Sequence, residues 1–276
     1  MSYADWLGRQ ESSDCVLQLQ QANFMAASLG QDRTFNPGDP LPHGWHWLYF
    51  LQAAPRDQLG RDGHPKRGGF LPPVDLPRRM WAGGRLQFHS DLPLGALCRK
   101  TSTITSIKEK ESRQGPLCLV TVTHEISVAE SVALVEEHDI VYLRDREPQD
   151  PIADGEPPAT MQFSESFSSD STLLFRYSAL TFNGHKIHYD LDYCRDIEGY
   201  PGLLFHGPLT ATLLLDLASR KLGHHNVQSF DFRAMAPIFH DEVILFEGRR
   251  DANALELQAV NARGGVSMRA RVNNAV

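Results

Sequence analysis

Cysteine is scarce in this chain: 276 residues contain four, Cys15, Cys98, Cys118 and Cys194, scattered and without a CxxC pair. Neither a disulfide framework nor a structural zinc site is expected from that spacing, and a reduced, cytoplasmic protein is. Long apolar runs are missing too. Nothing approaches the ~20 residues that span a bilayer, so no membrane partner is expected. The first ten residues lack the apolar core of a secretory leader. Basic residues are the minority, 27 Lys and Arg against 34 Asp and Glu, for a net charge of -7. With no basic tract to reverse that balance, no nucleic-acid partner is expected. A local arginine cluster can still bind an anion, so the charge does not exclude CoA. What remains is a globular composition, 41% hydrophobic and 22% charged, which suffices for a sizeable core.

Residues 146–158 are rich in Pro and acidic side chains and nearly free of apolar ones. That composition reads as a surface linker. It divides the chain into residues 1–145 and 159–276, with the same order of elements in each. In the second part, 208–222 reads as a buried helix, apolar on nearly every face, with Pro208 in its first turn and Gly223 as its stop. Strands are expected at 227–235, 243–249, 255–261 and 266–272; Phe230 and Phe232 alternate with Asp231 and Arg233. The first part repeats the pattern more faintly. A buried helix is expected over 42–51, then strands near 85–89, 98–107, 117–128 and 140–143. One buried helix embraced by an antiparallel sheet, occurring twice, is an α+β arrangement. A sheet continuous across both parts would remove an exposed edge from each.

The chemistry concentrates in two segments. Residues 176–190 pack Asn183, His185 and His188 into six positions, and 199–209 deliver His206-Gly207-Pro208 to the head of the apolar helix. A base on a loop beside the free N–H groups of a helix N-terminus is what activation of water against a polarised carbonyl requires. These residues resemble the MaoC-like hydratase/dehydratase branch of the hot-dog fold. Its hydratase motif, laid without gaps, covers 179–188, and its His-Gly pair falls on His206 and Gly207. In the first part, Arg78, Arg79 and Trp81 lie in a stretch, 70–84, similar to one in the double hot-dog itaconyl-CoA and mesaconyl-C4-CoA hydratases.

The resemblance implies two fused hot-dog halves, the second catalytic and the first binding the substrate tail. It implies addition of water to a branched C5-dicarboxylyl-CoA, with CoA as part of the substrate and no metal or other cofactor. His188 is the expected general acid/base, since an imidazole titrating near ~6.5 both takes and returns a proton. Where single-domain relatives carry Asp this chain has Asn183, which accepts no proton; it would hold the water through its side-chain oxygen, leaving His188 to act alone. The Gly207 N–H would polarise the thioester carbonyl. Arg78 and Arg79 beside Trp81 would clamp a distal carboxylate, although a solvated arginine pair is by itself the commoner arrangement. His185 and His206 are expected against the substrate, and Arg233 is expected at the CoA phosphates or pantetheine, or in a pair on the sheet face. His185 and His188 have HxxH spacing, but no Asp, Glu or Cys set completes a metal pattern. Three rivals stand beside this reading: a 3-hydroxyacyl-thioester dehydratase of fatty-acid synthesis, a hot-dog thioesterase and a non-catalytic acyl-thioester binding module. A chain that is already a pseudo-dimer is compatible with a monomer or a homodimer.

Overall fold

A computed structural model describes residues 3–112, 115–147, 150–252 and 254–274. Ten antiparallel strands form one continuous sheet in the order β1-β3-β4-β5-β2-β7-β10-β9-β8-β6. The first five in that order belong to the N-terminal half: β1 (Gln10–Val16), β3 (Leu97–Ser112), β4 (Gly115–Val128), β5 (Ser131–Leu143) and β2 (Arg78–Phe88). The other five are β7 (Val227–Ala234), β10 (Val266–Asn274), β9 (Ala254–Val260), β8 (Val243–Asp251) and β6 (Phe163–Ser168). The halves join edge to edge where Gly83 pairs with Arg233 and Gly84 with Phe232. Glycine is required at that seam because a Cβ on Gly83 would collide with the Phe232 carbonyl oxygen. This is the double hot-dog architecture.

The helix of the second half is α3 (Gly207–Leu222), whose buried face includes Leu209, Leu214, Leu215 and Leu217. Gly223 follows it with φ +89°, a backbone conformation that glycine adopts without penalty. It packs against β7, β8, β9 and β10. The first half differs. The helix expected over 42–51 is a single 3-10 turn, Trp45–Leu48, and its Trp45 and Leu48 are fully buried. Pro42 and Gly44 (φ +82°) keep the segment from extending to a longer helix. Two short helices, α1 (Leu19–Ser28) and α2 (Ser171–Leu180), pack on one another.

The segment 146–158 is irregular apart from one bridge, Glu156 to Val266, and its residues 148 and 149 lie outside the described set. It closes against β10: Gly155 lies so near Val266 that a Cβ there would strike the Val266 carbonyl. Ile152 and Ala153 reach the cavity described below. Among the described residues no helix is long and apolar enough to cross a membrane.

Candidate active site

Helix α2 ends at Leu180, and the chain turns through Phe182, a non-glycine residue at φ +49°. The turn is held by the Asn183 N–H donating to Ser178 O at 2.8 Å. Asn183 Oδ1 then accepts from the His185 N–H at 3.0 Å, so one side of the oxygen expected to hold a water is used locally. A 3-10 turn, Lys186–His188, follows. Leu204 locks it from the other side: its N–H donates to Ile187 O at 2.9 Å, and its carbonyl lies 2.8 Å from His188 Nδ1. A carbonyl only accepts, so Nδ1 carries the proton and Nε2 keeps a lone pair. His188 Nε2 has no hydrogen-bond partner among the described residues and is not sealed from solvent.

The same turn leads into α3. His206 is its N-cap and Gly207 its first residue, with Pro208 next. The Gly207 N–H is one of the donors a helix leaves unpaired at its start, and it has no acceptor among the described residues. Only two residues, Phe205 and His206, therefore separate the carbonyl that orients the imidazole from the amide at the helix head. Both His188 and Gly207 line one cavity of about 970 Å3, at the upper end of the volume range for small-molecule sites.

His206 does not line that cavity. It is wholly buried behind His188, the two rings stacked at 3.6 Å and 19°, and its Nε2 lies 2.8 Å from Ser178 Oγ. The expectation of a substrate contact fails because the N-cap residue turns into the core. Its place is that of a backing for the His188 ring. Burial is the main cause that lowers the His188 pKa to about 4, against the Leu204 hydrogen bond, which raises it. Burial likewise pushes His206 well below the ordinary imidazole value. Both rings are neutral at pH 7.

The first half supplies a segment that the sequence reading missed. Asp62-Gly63-His64 lies against the loop that carries Asn183 to His188, with the Lys186 N–H donating to Asp62 O at 2.9 Å. His64 Nδ1 lies 2.9 Å from Asp62 Oδ2, and the His64 ring stands 4.2 Å from that of His185, which in turn is 5.6 Å from His188. His64 and His185 both line the cavity. Burial opposes ionisation of Asp62, but the His64 hydrogen bond and charge outweigh it and hold the carboxyl well below its usual range. A signal was available: four glycines, Gly60, Gly63, Gly68 and Gly69, fall in one short charged stretch, the composition of a functional loop.

Asp62, His64 and His185 offer ligand atoms within 4.8 Å of one another, enough in principle for a divalent cation. The nearby Arg79 charge opposes a cation there and acts on both His64 and His185. Arg79 lines the cavity and has no carboxylate partner among the described residues. Arg78 differs. Its Nε donates to Glu198 Oε2 at 3.1 Å and its terminal nitrogen to Tyr200 OH at 2.9 Å, at 10% side-chain exposure. That charge is spent on joining the halves, which corrects its expected role in a two-arginine clamp. Trp81 lines the cavity and donates from Nε1 to Gly83 O at 2.7 Å, with Trp47 and Phe232 edge-on to it. Strand alternation turns Arg233 outward onto the sheet face, opposite buried Phe232, and it does not line the cavity. Deeper in the first half, buried Glu136 lies 3.0 Å from His46 Nε2 and accepts from Trp47 Nε1 at 3.0 Å.

Comparison with known proteins identifies the family and agrees with the fold. The family model described as hydroxyacyl-thioester dehydratase type 2 matches residues 44–240. A Chloroflexus aurantiacus protein named mesaconyl-C(4)-CoA hydratase is 42% identical, over 99% of each chain. A solved MaoC-like dehydratase from Phytophthora capsici superposes with a TM-score of 0.75 at 13% identity, covering 100% of this chain and 98% of that one. A Mycobacterium tuberculosis protein described as having a double hot-dog fold gives a TM-score of 0.58 at 13% identity, covering 99% of this chain and 98% of the other.

Proposed function

The chain belongs to the hydroxyacyl-thioester dehydratase type 2 family of MaoC-like double hot-dog proteins, and from that premise we propose that it is an acyl-CoA hydratase converting mesaconyl-C4-CoA to citramalyl-CoA. The observation that carries this reading is the single turn, Leu204 to Gly207, that orients the His188 base and presents an amide N–H to the same cavity. In the proposed reaction His188 Nε2 takes a proton from water, and the hydroxide adds to the β-carbon. The displaced electron pair moves onto the thioester oxygen, where the Gly207 N–H meets it. A donor so placed typically contributes about 2.7–4 kcal/mol. Protonated His188 then returns the proton to the α-carbon. No redox step occurs, and CoA enters as part of the substrate.

Two things support the dicarboxylyl substrate. The Chloroflexus relative is named for it. In mesaconyl-C4-CoA the free carboxylate sits on the β-carbon itself, so its cationic partner must stand close to the imidazoles. Arg79 does so, and its charge bears on His64, His138 and His185. Itaconyl-CoA fits less well because its double bond is not conjugated with the thioester, so polarising that carbonyl gives little help. The family's name favours a second reading, dehydration of straight-chain 3-hydroxyacyl thioesters. Incubation with mesaconyl-C4-CoA, itaconyl-CoA and crotonyl-CoA, followed by mass spectrometry for gain of one water, separates them. We expect mesaconyl-C4-CoA to be hydrated best, and Arg79→Gln to raise its KM at least tenfold while leaving KM for crotonyl-CoA nearly unchanged. Hydration of crotonyl-CoA alone would overturn the dicarboxylyl assignment.

A further inference from the structure

Four imidazoles stand in a row across the junction of the two halves: His64, His185, His188 and His206, with Asp62 at one end and Ser178 at the other. Only two of them have the arrangement of a working base that faces the cavity. His188 donates from Nδ1 to a carbonyl, and His64 Nδ1 pairs with the Asp62 carboxylate. In both the opposite nitrogen, Nε2, has no partner among the described residues and is not sealed from solvent. The His185 side chain has no hydrogen-bond partner among the described residues, and His206 is behind the cavity wall. Asn183, at the position where a second base would stand in the second half, accepts no proton, and its oxygen already receives the His185 N–H.

We propose that the Asp62–His64 pair, contributed by the otherwise non-catalytic first half, is the second hydrogen-bond acceptor for the attacking water and completes the water site from across the junction. This rests on the hydratase reading above. The water donates one O–H to His188 Nε2 and the other to His64 Nε2. The first O–H bond breaks as oxygen bonds to the β-carbon, and its proton passes by way of His188 to the α-carbon. The second O–H survives in the product hydroxyl. His64 fixes the water in line with the β-carbon and, as an acceptor, shares the positive charge that develops on the oxygen as its lone pair bonds to carbon; Asp62 stabilises the cationic character that this places on the ring. The backbone serves this placement. Gly63, at φ +89°, and Gly184 approach so closely that neither admits a Cβ without displacing the other's segment, and the Lys186 N–H to Asp62 O bond registers the two loops.

The test uses the full-length protein with mesaconyl-C4-CoA and four variants: His188→Gln, His64→Gln, His64→Ala and Asp62→Asn. Asp62→Asn keeps an acceptor for His64 Nδ1 while removing the charge. We expect kcat to fall about 10²- to 10³-fold in His64→Gln and about tenfold or more in Asp62→Asn, each with KM changed less than threefold. Added imidazole should restore His64→Ala at least tenfold, a readout that loss of packing alone would not give. If Asp62→Asn and His64→Gln keep kcat within twofold of wild type while His188→Gln is inactive, the water-holding role of the pair is overturned and the hydratase reading stands. Losses that appear only in KM, with no imidazole rescue, overturn it equally. If the wild-type protein hydrates none of the thioesters, the hydratase reading fails first.

Discussion

At the scale of the residue, the Gly207 amide is the group whose role is easiest to isolate, because a proline there deletes that one N–H and no side-chain group. Proline is favoured at the first position of a helix, where the N–H has no intrahelical partner. The preceding residue, His206, sits at φ -69° and ψ 129°, the extended region that a following proline demands. A Cβ at position 207 would meet nothing within 4 Å. Gly207→Pro should remove one donor from the thioester oxygen, while its ring, in a helical position directly before Pro208, bears a steric cost that lowers the melting temperature by an amount the melt reads separately. Loss of such a donor costs about 10²–10³ in kcat. Steady-state kinetics with a thermal melt would check both halves of the statement, and a variant with wild-type kcat would take the amide out of the mechanism. Asn183, His188 and Gly207 could all be singled out in the sequence because they fall inside two short signatures, 179–188 and 206–207, and the structure brings all three to one cavity. Asp62 and His64 were not, since they lie more than 100 positions away and reach the site only when the halves close. Arg78 and Arg79 read alike in sequence. Both line the cavity, but Arg78 is paired with Glu198 and Arg79 has no carboxylate partner among the described residues, a difference that adjacent residues of identical type cannot reveal.

At the scale of the element, legibility followed burial. Helix α3 and strands β7 to β10 stood out because their apolar positions repeat at the helix and strand periods, and their observed bounds differ from the expected ones by only a few residues. Strands β1 and β6, with sequences QESSDCV and FSESFS, have no fully buried residue and lie at the two edges of the sheet. Their pairing is decided by backbone hydrogen bonds, which no side-chain pattern announces. Helices α1 and α2 are ten residues each and interrupt rather than continue the sheet motif. The loop pair that shapes the site, 60–64 against 183–188, depends on glycine for close approach, and that dependence can be measured. Gly63 and Gly68 share φ +89°, yet a Cβ on Gly63 would strike the Gly184 carbonyl oxygen, while one on Gly68 would meet only Pro73 at 3.6 Å. Both alanine variants bear a left-handed backbone penalty of about 1–2 kcal/mol. Gly63→Ala should add a further loss of stability and a drop in kcat of more than tenfold, as the clash separates His64 from the catalytic loop. Chemical denaturation and kcat for the two variants side by side would decide it; equal effects would show that the contact between the loops carries nothing.

At the scale of the whole molecule, the continuous sheet encloses a group of imidazoles that folding keeps neutral, and stability must therefore depend on acid. Burial is the first cause in each case. It lowers His43 and His124 to about 3, and His138 and His188 to about 4. Neighbouring charges modify this: Glu136 pulls His124 and His138 back up, whereas other imidazoles press His43 further down. In the unfolded chain the same side chains titrate near ~6.5. Between those values and 6.5 the unfolded state binds more protons than the native one, so the free energy of unfolding rises with pH across that window and falls as acid is added. Each such group changes stability by up to about 1.4 kcal/mol per pH unit while the window lasts. Above 6.5 both states are neutral at these positions and the dependence disappears. The buried Glu136 carboxylate, which burial opposes but His46 and the other imidazoles hold ionised well below the usual carboxylate range, acts in the same direction at lower pH. The expected outcome is a melting temperature that is level from pH 8 to about 6.5 and then drops progressively to pH 4, at ~2–4 °C per kcal/mol for a chain of this size. Calorimetry across that range checks it. A melting temperature that stays level from 6.5 to 4 would mean that the native protein protonates these imidazoles as readily as the unfolded chain, and that the cavity wall around His188 is far wetter than its packing implies.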